Sequence, residues 1–250
     1  MPPRYEVIGV EGIAEVRPGD VLAEIIVGAA ARQGTPLLDR DLVVIGQKVV
    51  SKAEGRLVRL ADVTPSPVAT AMAATLERDP RFVEIVLRES RRVVRMDKGI
   101  LIVETRHGWI CANAGVDQSN VDLEVVALLP EDPDGSAAAL RARIAVLGPA
   151  EVGIIIADTF GRPWREGLTN VAIGVAGVAP LRSYLGQLDS AGRPLQATIL
   201  AVVDEAASAA ELVMGKLDRI PVAIVRGLPL PASDEGSKPL LRDPSRDLFR

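Results

Sequence analysis

Asp41-Leu42-Val43-Val44-Ile45-Gly46-Gln47-Lys48-Val49-Val50-Ser51-Lys52-Ala53-Glu54-Gly55 sets the character of the fold. Its run Leu42 to Ile45 is short, apolar and rich in β-branched side chains. That predicts a buried strand within 41–51. Gly55 ends the segment, and Arg56 to Leu60 reads as another short strand. On the N-terminal side, Tyr5 to Val10 alternates as a first strand. Asp20 reads as the N-cap of a helix with Val21, Leu22, Ile25, Ile26, Ala29 and Ala30 on one stripe, stopped by Gly34. On the C-terminal side, Thr64-Pro65-Ser66-Pro67 opens a helical stretch to about Glu77, and Asp79-Pro80 opens another to about Arg92. Residues 99–105 and 109–112 form a hairpin around His107-Gly108. Asp134-Gly135-Ser136 caps a helix over 137–147, and Val152 to Ala157 is an apolar strand ending at Asp158. Gln196 to Met214 fits either a strand followed by a helix or one helix. Val222 to Val225 is a last strand before a loop-rich tail. Strands and helices mix without strict alternation, which predicts an α+β, mixed-sheet fold rather than a doubly wound one. No internal linker divides the chain, so one domain over 1–250 is expected.

Composition narrows the function. Of 250 residues 48% are hydrophobic and 25% charged, enough to bury a sizeable core. The net charge is −4 and there are seven aromatic residues. A nucleic-acid binder needs a basic surface and stacking platforms, so that class is excluded. One cysteine, Cys111, and one histidine, His107, exclude a thiolate or two-His metal site. Any metal has to sit on oxygen ligands, as magnesium or manganese does. His107 in a hairpin turn is a poor member of a Ser-His-Asp triad. The longest uncharged run, 167–181, is interrupted by glycine and proline and falls short of a membrane span. With no export signal and one cysteine, a cytoplasmic protein is expected.

Several clusters could carry chemistry. Lys48 and Lys52, with Ser51 beside them, could grip phosphate oxygens, or be solvated lysines at a strand end. In Asn113-Ala114-Gly115-Val116-Asp117-Gln118-Ser119-Asn120, Asp117 could ligate a hard cation and Asn120 a base, ribose or phosphate. The alternative is a turn that uses Asn and Asp for its backbone shape. In Asp158-Thr159-Phe160-Gly161-Arg162, a strand-end carboxylate beside a hydroxyl suits a metal–phosphate site, with Arg162 and Arg165 as anion partners. The alternative is a capping Asp. Met214-Gly215-Lys216 fits an ordinary helix end. Arg88, Arg91, Arg92, Arg95 and Lys98 recur at helical spacing as a basic stripe. The dinucleotide and P-loop fingerprints are both absent.

Taken in order, these segments resemble the coenzyme F420:L-glutamate ligase (F420-0:gamma-glutamyl ligase) family. The resemblance rests on Val50-Ser51-Lys52-Ala53-Glu54-Gly55, on Asn113 through Asn120, on Leu129-Pro130-Glu131-Asp132-Pro133-Asp134-Gly135-Ser136, on Asp158 through Arg162, and on Met214-Gly215. It spans nearly the whole chain. It implies a mixed α+β fold in an intertwined homodimer, with two intertwined lobes as a variant arrangement. Some members of that family append a flavin-reductase-like domain, and none is expected here. It also implies a GTP-dependent ligase that adds L-glutamate to the deazaflavin coenzyme F420-0 through an acyl phosphate, with Mg2+ or Mn2+ and K+ as a further candidate ion. Asp117 and Asp158 would hold the first metal and Thr159 would contact a second. Asp117, Asp158 and Lys52 would be the catalytic set. Ile13, Ala14, Glu15, Val16, Gln47, Lys48, Lys52, Asn120, Met214, Gly215 and Lys216 would contact GTP. The family pattern at the late motif is Met-Gly-Glu, with the Glu on the second metal. This chain carries Lys216 there.

Phosphoryl transfer to a carboxylate needs cations among the phosphates and little covalent protein chemistry, so scarce His and Cys are no obstacle. Two other readings stay open. One is a GTP-dependent amide ligase with a different acceptor. The other is a nucleotide- or deazaflavin-binding module without turnover.

Overall fold

A computed structural model describes residues 3–119, 122, 124–148 and 151–247. Among these residues the chain runs β1 (Glu6–Gly9), α1 (Leu22–Gln33), β2 (Leu42–Gly46), α2 (Gln47–Ala53), β3 (Leu57–Arg59), α3 (Pro67–Leu76), α4 (Pro80–Arg88), β4 (Ser90–Asp97), β5 (Ile100–Thr105), β6 (Ile110–Ala112), β7 (Val125–Ala127), α5 (Pro133–Leu147), β8 (Gly153–Arg162), β9 (Arg165–Ala176), β10 (Arg182–Ser183), β11 (Ile199–Leu200), α6 (Val202–Met214) and β12 (Val222–Arg226).

The apolar runs become the centre of a five-stranded sheet in the order β1-β12-β2-β8-β9. β2 pairs with β8 in parallel, while the other neighbours are antiparallel, so the sheet is mixed as expected. Alternation along the strands explains why these runs are apolar throughout. Val43, Ile45, Ile154 and Ile156 face Ile26 and Ala30 of α1 and Ile144 of α5. Val44, Ile155 and Ala157 face Val203, Ala207 and Ala210 of α6. Burying each Val, Leu or Ile stabilises by roughly 1.5–3 kcal/mol, so both faces anchor the sheet. A separate cluster joins Phe82, Val83 and Val86 of α4 to Leu101 and Val103 of β5. It supports the three-stranded sheet β4-β5-β6, whose end leads into the Asp117 loop.

Five expectations are corrected. The arginine-rich run is not a helical stripe: α4 ends at Arg88, and 90–97 is strand β4. Val93 and Val94 favour a strand. Arg92 meets Glu104 of β5 at 2.8 Å, Arg95 meets Asp97 at 2.9 Å and Arg88 meets Glu84 at 2.8 Å, so much of the positive charge is already matched. Asp158 does not end its strand. β8 continues to Arg162 because β9, a strand the uncharged run concealed, pairs along its length. Residues 47–53 form helix α2 rather than a strand end. Asp20 is not a cap: the helix starts after Val21, and the Asp20 carboxylate accepts from the Arg17 N–H at 2.8 Å. The N-cap of α5 is Asp132, which accepts from the Gly135 N–H at 3.1 Å, so the helix begins one turn earlier than expected. The ambiguous 196–214 segment resolves into β11 and then α6.

Asp134 is freed for another task. Its Oδ1 accepts from the Val175 N–H at 2.8 Å and the Ser237 N–H at 2.9 Å, and its Oδ2 accepts from the Ser237 hydroxyl at 3.1 Å. One carboxylate thus ties α5, β9 and the C-terminal segment together. The close approach requires Gly174 on β9, where an added Cβ would lie 2.4 Å from the Pro133 carbonyl oxygen. Asp134→Ala should lower the unfolding free energy by about 2–4 kcal/mol in urea, because three partners lose a charged acceptor. An unchanged midpoint and slope would contradict this tethering role.

Candidate active site

The site is built where β2 ends beside β8, which runs on past it to Arg162. Their parallel register sets Gly46 opposite Ala157, so the first turn of α2 lies beside Asp158. Val50 is buried in the core and anchors α2, which fixes the direction of its lysines. Lys48 and Lys52 are four apart and share a helix face. Lys48 Nζ sits 2.8 Å from Asp117 Oδ2 and donates to Ser119 Oγ at 2.6 Å. Lys52, only 8% exposed, is ion-paired with Glu15. Gln47 is buried and accepts from the Ser51 hydroxyl at 2.8 Å.

Asp117 reaches Lys48 through an unusual turn. Asn113, Ala114 and Gly115 have φ of 51°, 56° and 70°. The left-handed region costs a non-glycine residue of order 1 kcal/mol or more. The turn is held by its exit: Asp117 and Ala127 exchange backbone hydrogen bonds at 3.0 and 2.8 Å. Burial pushes the Asp117 carboxyl up, but hydrogen bonds from Lys48 and Ser119 outweigh it and hold the group below its ordinary value.

Asp158 is in the opposite condition. Among the described residues its one hydrogen bond comes from the Thr159 N–H at 2.8 Å. Burial pushes its carboxyl up to about 6; the Thr159 bond opposes this, the Asp117 charge adds to it, and Lys48 and Lys216 oppose it. Nearby Cys111 is pushed up to about 12, first by burial and then by the Asp158 charge, so it is an inert thiol.

Strand alternation sends Thr159 to the opposite face, toward α6. Its hydroxyl donates to Asn170 Oδ1 at 2.7 Å and accepts from Lys216 Nζ at 2.7 Å. Lys216 also pairs with Glu211 Oε1 at 2.8 Å, and Glu211 Oε2 accepts from Asn170 Nδ2 at 2.8 Å. Met214 is buried, with its Cε 3.6 Å from where a Cβ on Gly46 would stand. The end of α6 therefore abuts the start of α2.

Lys48, Asp117, Asp158, Thr159, Met214, Gly215 and Lys216 thus lie close together, with Gln47 beside Lys48 at the start of α2 and Lys52, paired with Glu15 of the 13–16 loop, one turn further along. Ala14 and Glu15 line a cleft of about 340 Å3 with Gly12, Asp20 and Glu24. Val16 is buried in the core, and Ile13 packs against it. Asn120 lies outside the described residues. Arg162 instead donates to the Glu166 carbonyl at 2.7 Å in the β8–β9 hairpin, and His107 lies 3.1 Å from the Glu131 carbonyl. Ser119, Asn170 and Glu211 were not singled out from sequence. Ser119 sits inside a quoted motif. Asn170 and Glu211 belong to no local pattern, because strand pairing and the packing of α6 bring them to Thr159.

The donor set suits one hard divalent cation. Asp158 is a half-buried carboxylate raised toward neutrality, and the Asp117 charge faces it. A cation bound by both would relieve burial and repulsion together. Among the described residues no three His, Cys, Asp or Glu side chains cluster as a metal site, so such an ion would complete its shell with ligand oxygens or water.

An oxygen-only site fed by two lysines at the edge of a mixed sheet is the setting for phosphate or carboxylate chemistry without a covalent protein intermediate. Residues 12–227 match the family model described as F420-0:Gamma-glutamyl ligase, and the chain belongs to that family. It is 46% identical over 246 residues to the Coenzyme F420:L-glutamate ligase of Methanothermobacter thermautotrophicus, covering 97% of this chain and 98% of that protein. It is 48% identical over 241 residues to the protein of the same name from Methanopyrus kandleri, covering 94% of each. The Archaeoglobus fulgidus protein of that name is 41% identical over 248 residues, covering 99% of this chain and 97% of the relative.

A raised Asp158 has a measurable consequence in metal-free protein. Its contribution to stability is full below the ordinary carboxylate value and is lost as pH rises through about 6. Asp158→Asn removes this loss. Its stability relative to the natural chain should therefore rise between pH 4 and 7, by up to about 3 kcal/mol in thermal or urea unfolding with chelator present. Parallel pH profiles for the two proteins would contradict it.

Proposed function

We propose that the chain is a GTP-dependent ligase that joins L-glutamate to the carboxylate of F420-0 through an amide bond. The reading is carried by one observation: the Lys48–Asp117–Ser119 cluster and Asp158 meet at the edge shared by β2 and β8, in a chain whose relatives are named for this ligation.

A carboxylate does not accept an amine directly. In the proposed reaction the coenzyme carboxylate attacks the γ-phosphorus of GTP, the bond to the β-phosphate oxygen breaks, and GDP leaves. The glutamate amine then attacks the acyl carbon, phosphate departs with the bonding electrons of the C–O bond, and the amine proton goes to solvent. A divalent cation held by Asp117 and Asp158 supplies positive charge to the phosphate oxygens when bound. Lys48 and Lys52 present ammonium donors to those oxygens, Lys52 after leaving Glu15. Burial around Asp158 limits water near the acyl centre, which favours amide formation over hydrolysis.

The loop 13–16 and the cleft beside it are the proposed seat of the rest of the nucleotide. Exposed Leu168, Leu212 and Leu217, on β9 and around the end of α6, support assembly as a homodimer. Among the described residues no helix is long and apolar enough to cross a membrane, which is compatible with the cytoplasmic location proposed here.

Incubation with GTP, Mg2+, L-glutamate and F420-0 should yield the glutamyl product by mass spectrometry, with no GDP released unless the acceptor is present and repeated turnover only when glutamate is present as well. Lys52→Ala should weaken GTP by about tenfold or more, the loss of a charge-assisted bond, with little change in the KM for glutamate. Product formation without any nucleoside triphosphate, or an unaltered GTP affinity in a folded Lys52→Ala protein, would overturn this reading.

A further inference from the structure

Thr159, Asn170, Glu211 and Lys216 close a ring of hydrogen bonds on the α6 side of β8. Asn170 is 3% exposed and has no freedom in the ring: its carbonyl oxygen accepts from Thr159 and its amide donates to Glu211. That arrangement makes the Thr159 hydroxyl a donor to Asn170, so it meets Lys216 only as an acceptor, through a lone pair. The ammonium accordingly has two of its three N–H groups fixed, by Thr159 and Glu211. The Lys216 side chain is 61% exposed, so its third N–H is open to an incoming ligand.

A second divalent ion on Thr159 does not fit this arrangement. An ion bound to that hydroxyl would sit at roughly 2.0–2.6 Å from it, inside the space of an ammonium that already stands 2.7 Å away. Lys216 offers no lone pair to such an ion and repels it. The carboxylate that would attract an ion, Glu211, is already matched by the same lysine. Strand alternation also separates the donors, because Asp158 and Thr159 leave β8 on opposite sides. With one divalent ion on Asp117 and Asp158, three carboxylates and two lysines already leave the site net positive.

We propose that Lys216 is a built-in cation of the site: it takes the place of a second divalent ion at Thr159 and donates its free N–H to a phosphate oxygen of the bound nucleotide. The site then works with one divalent ion per bound nucleotide. Asn170 and Glu211 are positioning residues that hold the ammonium in place. This rests on the nucleotide and single-ion reading above.

The test is the ratio of Mn2+ to nucleotide bound by the full chain, measured by equilibrium dialysis with a non-hydrolysable GTP analogue. One Mn2+ per nucleotide is expected for the natural chain, and two for Lys216→Glu, which restores a carboxylate. Lys216→Met should keep a ratio of one and weaken the analogue about tenfold. Two Mn2+ per nucleotide in the natural chain would overturn the proposal while leaving the ligase reading intact. That measurement decides the matter even if Lys216→Glu does not fold. A ratio of one in a folded Lys216→Glu protein would also overturn it. Analogue binding with no Mn2+ at all would instead sink the single-ion reading, and with it the role given to Lys216.

Discussion

The parallel, in-register pairing of β2 with β8 is the constraint on which the rest depends. It makes β2 end beside the middle of β8, Gly46 opposite Ala157. From that point α2 leaves one strand carrying Lys48 and Lys52, while β8 carries Asp158 and Thr159. A slip of one residue would turn Asp158 toward α6 and Thr159 toward α2. The register is protected because both faces are buried: Ile154 and Ile156 face one helical layer, and Ile155 and Ala157 the other. The apolar strands therefore do more than stabilise the fold. They index two polar residues to opposite faces.

The local energetics run against stability at the site and in favour of it elsewhere. Asp158 sits half-buried with one backbone donor, and three successive left-handed residues precede Asp117. Together these cost several kcal/mol by ordinary magnitudes. The surrounding core offsets them, since each buried Ile or Leu contributes roughly 1.5–3 kcal/mol. This is the usual relation between a pre-organised polar site and its scaffold. It also orders the lysines. Lys48 already answers Asp117, Lys52 answers Glu15, and Lys216 answers Glu211, so each arrives at the site with a partner that limits where it can move.

What could be read from sequence tracks the range of the interactions involved. β2 and the apolar part of β8 were legible because burial on both faces leaves continuous apolar runs. α3 and α4 were legible at their starts because Ser66 and Asp79 cap them ahead of a first-turn proline. Lys48, Asp117 and Asp158 were legible as candidates because each lies in a short polar motif beside a strand. α2 was missed because its seven residues are too few to show a helical period. β9 was missed because its glycines and polar N-terminal half resemble a loop, and only pairing with β8 makes it a strand. Asn170 and Glu211 could not be found from local pattern at all. Asn170 meets Thr159 across 11 positions of chain and Glu211 across 41, contacts that exist only once β9 and α6 are packed.

The central claim is that one edge of the sheet binds the phosphates and a single hard cation together. A crystal structure of the chain with a non-hydrolysable GTP analogue and Mn2+, with the metal located by its anomalous signal, tests it most directly. The account predicts Mn2+ coordinated by both Asp117 and Asp158, with Lys48 moved from Asp117 onto a phosphate oxygen. A nucleotide bound away from this edge, or Mn2+ that does not touch Asp158, would contradict it.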